Sequence, residues 1–291
     1  MKIFTTVLFL ISISTVAQIK GIVKDSLTNQ PIPFVNIWVE NENRATTSEE
    51  NGTFVFPDSE KGKNLVFSAI GYEKKTISAS QSKEVLLQPA NYQLEEVLIS
   101  NRIQTKEIQI GKTENTVCQA FDNGPKIDTK FFPYDSSYKK TKFIKNVSVY
   151  TDCRIDEATV KIHFYSVNAD GFPDKELLSK DLIVKIKKGT RIHTIDVTRF
   201  NLTMPKNGIF VGFEKLLIES NRFEKKVFDK NTNTPSISVT YYPYMLYNYV
   251  EREELFTFSG GKWNKQIINT DADSEYKKKI YEPSIQLTLT N

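Results

Sequence analysis

The stretch GIVKDSLTNQPIPFVNIWVENENRATTSEENGTFVF, residues 21–56, decides the fold of the N-terminal part of this chain. Its segment FVNIWV, residues 34–39, has the period of a strand, in which successive side chains point to opposite faces. The two alternating sets are Val35, Ile37 and Val39 on one face and Phe34, Asn36 and Trp38 on the other. Pro31 and Pro33 exclude a central strand just before this segment, because proline cannot donate to a sheet ladder.

Turn residues divide the rest of this region into short strands. Asn51-Gly52 predicts a hairpin turn, since both residue types tolerate a positive φ. The apolar run NLVFSAIGY, residues 64–72, predicts a strand that Gly71 ends. About seven strands, with turns every eight to twelve residues, favour a small β-sandwich over residues 18–100.

The first residues, MKIFTTVLFLISISTVAQ, are typical of a secretory signal peptide. Lys2 is the charged region, the apolar run from Ile3 to Val16 is short for a membrane span, and Thr15 and Ala17 are small residues before a cleavage site. We therefore expect residues 1–17 to be removed and the chain to be exported. The alternative is an uncleaved anchor.

Composition limits the kinds of partner that the chain can bind and bears on its compartment. Apolar residues make up 39% of the chain, charged residues 25%, and the formal net charge is +4. Because lysines and acids are interspersed, we expect a solvated surface that does not bind nucleic acid. We also expect no transmembrane span after signal cleavage. Oxidising surroundings permit a disulfide between Cys118 and Cys153, and the alternative is two buried thiols.

The second half of the chain also predicts strands. Residues 101–140 are polar and irregular, which suggests a linker and the entry to another domain. From residue 141 to 291 alternating segments resume, for example TVKIHFYSV at 159–167 and SIQLTLT at 284–290. The simplest interpretation is a C-terminal jelly-roll-like β-sandwich, so that the whole chain is all-β.

The order G-x-V, P-x-x-x-V-x-V, G-x-F and GY along residues 21–72 resembles the carboxypeptidase-regulatory-like domain, which is common in exported proteins of Gram-negative bacteria. This resemblance implies a transthyretin-like (prealbumin-like) Greek-key sandwich over residues 18 to about 90. The remainder looks like an uncharacterised C-terminal β-sandwich often found behind such domains. Neither resemblance implies an activity, because fold does not determine function.

Catalytic motifs are not apparent in the sequence. A zinc carboxypeptidase needs a His-x-x-Glu pair and a third histidine, whereas this chain has only His163 and His193, both in alternating strand segments. The nucleophile turn G-x-S-x-G is not present. We therefore expect a protein that is not an enzyme and has no cofactor, with a hydrolase as the least favoured hypothesis.

One loop could hold Ca²⁺. In NADGFPD, residues 168–174, the side chains of Asn168, Asp170 and Asp174 could supply oxygen ligands. The loop does not have the full spacing and closing glutamate of an EF-hand, and the alternative interpretation is a plain turn.

Tyrosines crowd the segment YYPYMLYNYV, residues 241–250. If exposed, they could stack on sugar rings or pack against a protein partner, whereas if buried they would fill the sandwich. The candidate ligand-binding residues are Tyr241, Tyr242, Tyr244, Tyr247, Tyr249 and Trp263.

Two functions follow as hypotheses. The first is an exported structural or interaction protein of the cell envelope that binds another envelope protein, in the periplasm or at the outer membrane or cell surface. The second is a carbohydrate-binding module with a glycan ligand.

Overall fold

The computed structural model describes residues 18–57, 60–90, 104–113, 124–228, 234–251, 254–267 and 279–291. Strands dominate this part of the chain, and its helices are short 3₁₀ turns such as Ala79–Gln81 and Ser136–Lys140. The all-β prediction is confirmed. No helix among the described residues is long and apolar enough to cross a membrane.

The N-terminal domain is a sandwich of two small sheets. The first sheet has the order β4-β1-β7, and the second has the order β3-β2-β5-β6. Their bounds are β1 (Gln18–Asp25), β2 (Asn36–Val39), β3 (Ala45–Thr47), β4 (Thr53–Pro57), β5 (Asn64–Ser68), β6 (Lys75–Ser78) and β7 (Glu84–Leu87). β1 pairs antiparallel with β4 and parallel with β7.

The predicted alternation is confirmed for residues 36–39, whereas Phe34 lies in the turn before β2. Val35, Ile37 and Val39 are buried in the core between the two sheets. Trp38, on the opposite face of β2, and Phe34, in the turn before it, are also buried but outside that core. Both faces of β2 are therefore buried, but only the face with Ile37 and Val39 packs in the core of the N-terminal sandwich.

The Asn51-Gly52 turn differs from the predicted hairpin. β3 pairs with β2, whereas β4 pairs with β1, so the turn carries the chain from one sheet to the other. Gly52 has a φ of +77°, and a Cβ there would lie 2.8 Å from the Val23 carbonyl oxygen. Gly52 therefore forms a tight turn, as predicted, but the close approach of β1 makes this turn lead to the other sheet.

The C-terminal domain is built from fourteen strands among the described residues. Its largest sheet has the order β19-β18-β9-β13-β10-β21-β8, with β11, β12 and β16 also paired to β10. The bounds are β8 (Glu107–Gly111), β9 (Ile127–Phe132), β10 (Phe143–Val167), β11 (Pro173–Glu176), β12 (Leu182–Asp196), β13 (Ile209–Lys215), β14 (Arg222–Phe228), β15 (Pro235–Tyr241), β16 (Tyr244–Met245), β17 (Tyr247–Glu251), β18 (Glu254–Ser259), β19 (Lys262–Ile267), β20 (Lys279–Pro283) and β21 (Ile285–Thr290).

The 25-residue strand β10 organises this domain. Its register against β12 shifts between Cys153 and Glu157, and such bulges let a strand bend from one layer to another. The first half pairs with β21 and the second half with β13. Val147 and Val149 from the first half share one core with Val160 and Ile162 from the second, so the bent sheet closes over a single apolar interior.

The segment at residues 101–140, predicted as a linker and entry, contributes two strands to the C-terminal sheet. β8 pairs with β21, and β9 pairs with β13. The polar character of β8 follows from its position at one end of the strand order, where one face and one edge meet solvent. The sheet of the second domain therefore begins before residue 141.

Candidate functional site

The predicted tyrosine cluster divides between the core and the surface. Tyr242 and Tyr247 are buried in the C-terminal core, and Tyr244 packs against it. The Tyr242 and Tyr244 rings lie 5.1 Å apart, nearly edge to face. Because their ring faces are covered, Tyr242 and Tyr247 are not available for stacking on a sugar, which corrects the prediction for these two residues.

The other predicted aromatic residues lie elsewhere. Tyr249 pairs with Tyr281 across two strands, with ring centroids 5.0 Å apart. Trp263 packs edge to face against Tyr165 and Phe258. Tyr241 is half-buried at the end of β15. The six residues therefore do not form one exposed aromatic surface in the described structure.

A small cavity lies beside Tyr244 and Tyr247 and is also lined by Lys126 and Asp128. The Tyr247 hydroxyl donates to Asp128 Oδ2 at 2.5 Å, and Lys126 Nζ lies 3.0 Å from the same oxygen. The cavity has about 20 Å³ of room, which holds about one water molecule and not a sugar ring. These polar groups satisfy one another.

The loop proposed for Ca²⁺ is a turn closed by its own side chain. Asn168 Oδ1 accepts hydrogen bonds from the backbone N–H groups of Asp170 and Phe172, both at 2.9 Å. The Asp170 and Asp174 residues are exposed. Among the described residues no group of three or more His, Cys, Asp or Glu side chains is placed to hold a metal ion. Calcium binding stays a prediction that these contacts do not support.

Of the two cysteines, the structure describes Cys153. It is buried in the C-terminal core, and its Sγ donates to the Ile155 carbonyl oxygen at 3.3 Å. Burial raises the pKa of this thiol. Cys118 lies outside the described residues, so the predicted disulfide stays a prediction.

The outer face of β2 is the contact surface between the two domains. The Phe34 ring packs with Leu216 and Ile218, and the Trp38 ring meets Phe258 edge to face with centroids 5.6 Å apart. Phe34 has a φ of +55°, a conformation that bulky residues rarely adopt and that the surrounding packing must hold. The N-terminal domain is therefore anchored by aromatic side chains that leave its own core intact.

Hydrogen bonds reinforce this contact. The Leu217 N–H donates to Thr47 Oγ1 at 3.1 Å, and the Glu219 N–H donates to Glu49 Oε1 at 2.9 Å. Lys161 Nζ, from β10, donates to the Phe34 carbonyl oxygen at 2.7 Å. Because each of these bonds joins residues more than 120 positions apart, they fix the two domains to each other.

A buried ionic cluster lies under this contact. His163 on β10 is hydrogen-bonded through Nδ1 to Glu176 at 2.8 Å and through Nε2 to Glu214 at 2.7 Å. On the same face of β10, Lys161 lies 3.1 Å from Asp181. The imidazole also stacks on the Tyr165 ring, with centroids 5.5 Å apart.

The carboxylates keep His163 protonated. Burial alone would lower the pKa of His163, but the hydrogen bonds and charges of Glu176 and Glu214 outweigh it and raise the pKa to about 9. For Glu214, burial alone would raise the pKa, but His163, Lys161 and a hydrogen bond from Asn36 lower it. His163 is therefore positively charged and Glu214 negatively charged at neutral pH.

A histidine between two carboxylates is a combination that acid–base catalysts use. Here only 4% of His163 and 4% of Glu214 is exposed, and Asn36 of the N-terminal domain also contacts Glu214. The His163 imidazole is therefore enclosed by its own carboxylate partners, and Glu214 is also covered by Asn36. The arrangement is therefore suited to holding the domains together.

Sequence reasoning treated His163 as an ordinary strand residue. The segment 160–165 did contain a signal, because Lys161, His163 and Tyr165 share one face while the other face is purely apolar. Its carboxylate partners are 13 and 51 residues away, so local spacing could not find them.

An exposed apolar surface lies on the ribbon of β14 and β15, which we call the arm. These strands pair only with each other in the described structure, from Arg222 opposite Tyr241 to Phe228 opposite Pro235. Phe228 is 61% exposed and Ile237 60%. The register places Phe228, Ile237 and Val239 on one face, because residues directly opposite in a ladder point the same way.

Comparison with known proteins identifies the N-terminal domain. Residues 19–99 match the family model described as the CarboxypepD_reg-like domain, which is a non-catalytic, immunoglobulin-like fold. This confirms the resemblance inferred from the motif order and agrees with the sandwich. The match covers less than a third of the chain and does not extend to the C-terminal domain. No curated protein matches the chain.

Among solved structures, the chain is similar to one entitled "Structure of infectious bursal disease virus Gx strain", with 8% identity and a TM-score of 0.25. The alignment covers 88% of this chain and 57% of the viral chain. A similarity at this score carries no argument about fold or function.

Proposed function

We propose that this chain, whose N-terminal domain is CarboxypepD_reg-like, is an exported, non-enzymatic interaction protein of the bacterial cell envelope. The signal-like residues 1–17 support export, to the periplasm or to the outer-membrane or cell surface. The anchored domain contact supports a rigid body, and the arm supplies its docking surface. The two domains act as a scaffold that holds the arm in place.

The exposed arm is the observation that carries the proposal. Exposed apolar side chains on a monomer mark interaction surfaces when they are grouped, whereas scattered ones are ordinary. Three are grouped on one face of this ribbon, namely Phe228, Ile237 and Val239, whereas Phe223 lies on the other face, against Tyr242. An unpaired ribbon edge also offers backbone groups to another strand.

Site-specific photo-cross-linking in living cells tests this proposal. A cross-linking residue at Ile237 should yield a discrete adduct with a defined partner. The same residue at Ile192, which is 48% exposed on β12 away from the arm, is the matched control and should yield none. Equal labelling at both positions, or no adduct at Ile237, would contradict the docking role.

The proposal that this chain is not an enzyme can be tested separately. The purified chain is incubated with panels of glycoside, ester and peptide substrates, with and without divalent metals. We expect no turnover above the buffer control. Turnover that disappears in His163→Gln would assign chemistry to the ionic cluster and overturn this part of the proposal.

Carbohydrate binding remains a second candidate because of one observation. The Tyr249–Tyr281 pair places two tilted rings side by side, and Tyr281 is partly exposed, as a sugar platform requires. A glycan array with Tyr281→Ala measures this directly, with Tyr242→Phe, a buried change, as control. A sugar signal lost only in Tyr281→Ala would support the second candidate.

A further inference from the structure

We propose that two copies of this chain associate by pairing their β15 strands antiparallel, edge to edge, about a two-fold axis at Ser238. The inference rests on the proposed function, since it takes the arm as the docking surface and names a second copy as its partner. The product is a four-stranded sheet in the order β14-β15-β15-β14.

The β15 edge is available for pairing. In the described structure β15 has β14 on one side only. The five residues from Pro235 to Val239 are all exposed in the part of the chain that the structure describes. Natural proteins protect such edges with charges, bulges or covering elements. β15 contains no charged residue and pairs with β14 without a register shift.

The sequence of β15 is complementary to itself in this register. With Ser238 on the axis, Ser238 faces Ser238, Ile237 faces Val239, and Ser236 faces Thr240. Hydroxyl pairs therefore lie on one face and β-branched apolar pairs on the other, which are favourable cross-strand combinations. A two-fold interface needs this kind of self-complementary surface.

The outer edge of β14 does not offer the same match. Self-pairing of β14 about its centre would place Lys225 opposite Lys225. Like charges directly opposite each other in a sheet are destabilising. Charge therefore selects β15 as the edge between the copies.

Pairing also joins the apolar sides of the two arms into one larger face. Phe228, Ile237 and Val239 lie on one face of the ribbon, and the two-fold axis brings both sets to the same face of the four-stranded sheet. Three or more strands with an apolar face are stable where an isolated two-stranded ribbon is marginal. The second copy thus supplies the strands that the arm does not have alone.

Cysteine cross-linking tests the register. Antiparallel pairing brings the two Ser238 Cα atoms to about 4.5–5.5 Å, within the range for a disulfide. We expect Ser238→Cys, in the exported chain under mild oxidation, to form a covalent dimer of twice the monomer mass. Ser236→Cys alone should not, whereas mixing it with Thr240→Cys should link the two chains.

Lys225→Cys is the matched control. Lys225 lies directly opposite Ser238 within the ribbon and on the same face, but the two copies of Lys225 would be about 14 Å apart across four strands. The unaltered chain, treated in parallel, reports any link through Cys118 or Cys153. If Ser238→Cys dimerises no more than Lys225→Cys, the proposal is overturned.

Sedimentation of the unaltered chain gives the independent measurement. We expect a dimer, and Ser238→Lys should weaken it by about tenfold or more because it places two ammonium groups on the axis. A monomeric chain would overturn the inference. If the Ile237 cross-link in cells then joins a different protein, the docking role stands while the second copy is excluded; if neither partner is captured, both proposals fail.

Discussion

β2 and β15 are both short alternating strands, but they lie in opposite environments. In β2 the face with Ile37 and Val39 packs in the N-terminal core, and the face with Trp38 packs on the C-terminal domain. In β15 both faces are exposed from Pro235 to Val239. A period of two therefore predicts a strand in each case, while it says nothing about what covers the second face.

The difference also shows how each strand is stabilised. The second face of β2 depends on an aromatic contact and on a buried ionic cluster contributed by the other domain. The apolar face of β15 has no such cover among the described residues, which is why we take the arm as a docking surface. Four substitutions test this contrast, and they are ordered here by the size of the effect expected.

Trp38→Ala should have the largest effect. Truncating a buried Trp costs about 3–5 kcal/mol, and this ring lies outside the N-terminal core. We expect urea unfolding followed by circular dichroism to separate into two transitions, because the domains lose their anchor. Trp263→Ala removes a ring that packs on the same Phe258 from within the C-terminal domain, and it should leave the domains coupled. A single unchanged transition in Trp38→Ala would show that the contact is not an anchor.

His163→Gln should have the next largest effect, and it should depend on pH. The folded-state pKa of about 9 lies above the ordinary value of 6.5, so the charged imidazole stabilises the fold fully below pH 6.5. This stability is lost as the pH rises through 9, and the difference corresponds to about 3 kcal/mol.

The measurement is the free energy of unfolding between pH 6 and 10. The unaltered chain should lose stability across the upper half of this range, whereas His163→Gln should be less stable at pH 7 and flat. His193→Gln is the control, because burial lowers the pKa of His193 and so shifts its titration away from the upper half of this range. The same slope in all three proteins would exclude His163 as its source.

Thr47→Val should have a smaller effect. It removes the hydroxyl that accepts the Leu217 N–H across the domain contact, which we expect to cost about 1–2 kcal/mol. Thr46→Val changes the neighbouring, partly exposed residue on β3 and serves as control. Thermal unfolding of both variants measures the difference. Equal shifts would mean that the hydrogen bond adds nothing to the domain contact.

Ile237→Ser on the arm should change stability least. Because Ile237 is largely exposed, we expect the free energy of unfolding of the monomer to stay within about 0.5 kcal/mol, while partner capture is lost. Chemical unfolding at low protein concentration measures the first effect. A large loss of monomer stability would show that the arm packs against its own chain.

Sequence reasoning found the strands more reliably than the site. The N-terminal sandwich followed from local turn residues and alternation, and the family match agrees with it. Tyr242 and Tyr247 were misassigned because five tyrosines in one short segment look the same whether they fill a core or face solvent. The His163 cluster was missed because its partners come from β11 and β13, which reach β10 only through the sheet.

The chain's local sequence was enough to establish its all-β character, the two faces of residues 36–39 and the kind of N-terminal domain, since these depend on neighbours a few residues apart. Only the tertiary structure decided that Phe34 and Trp38 pack on another domain, that the turn at Gly52 joins two sheets, and that residues 235–239 of the arm are exposed. Those outcomes depend on which distant strands meet, and that is set by the packing of the whole chain rather than by local pattern.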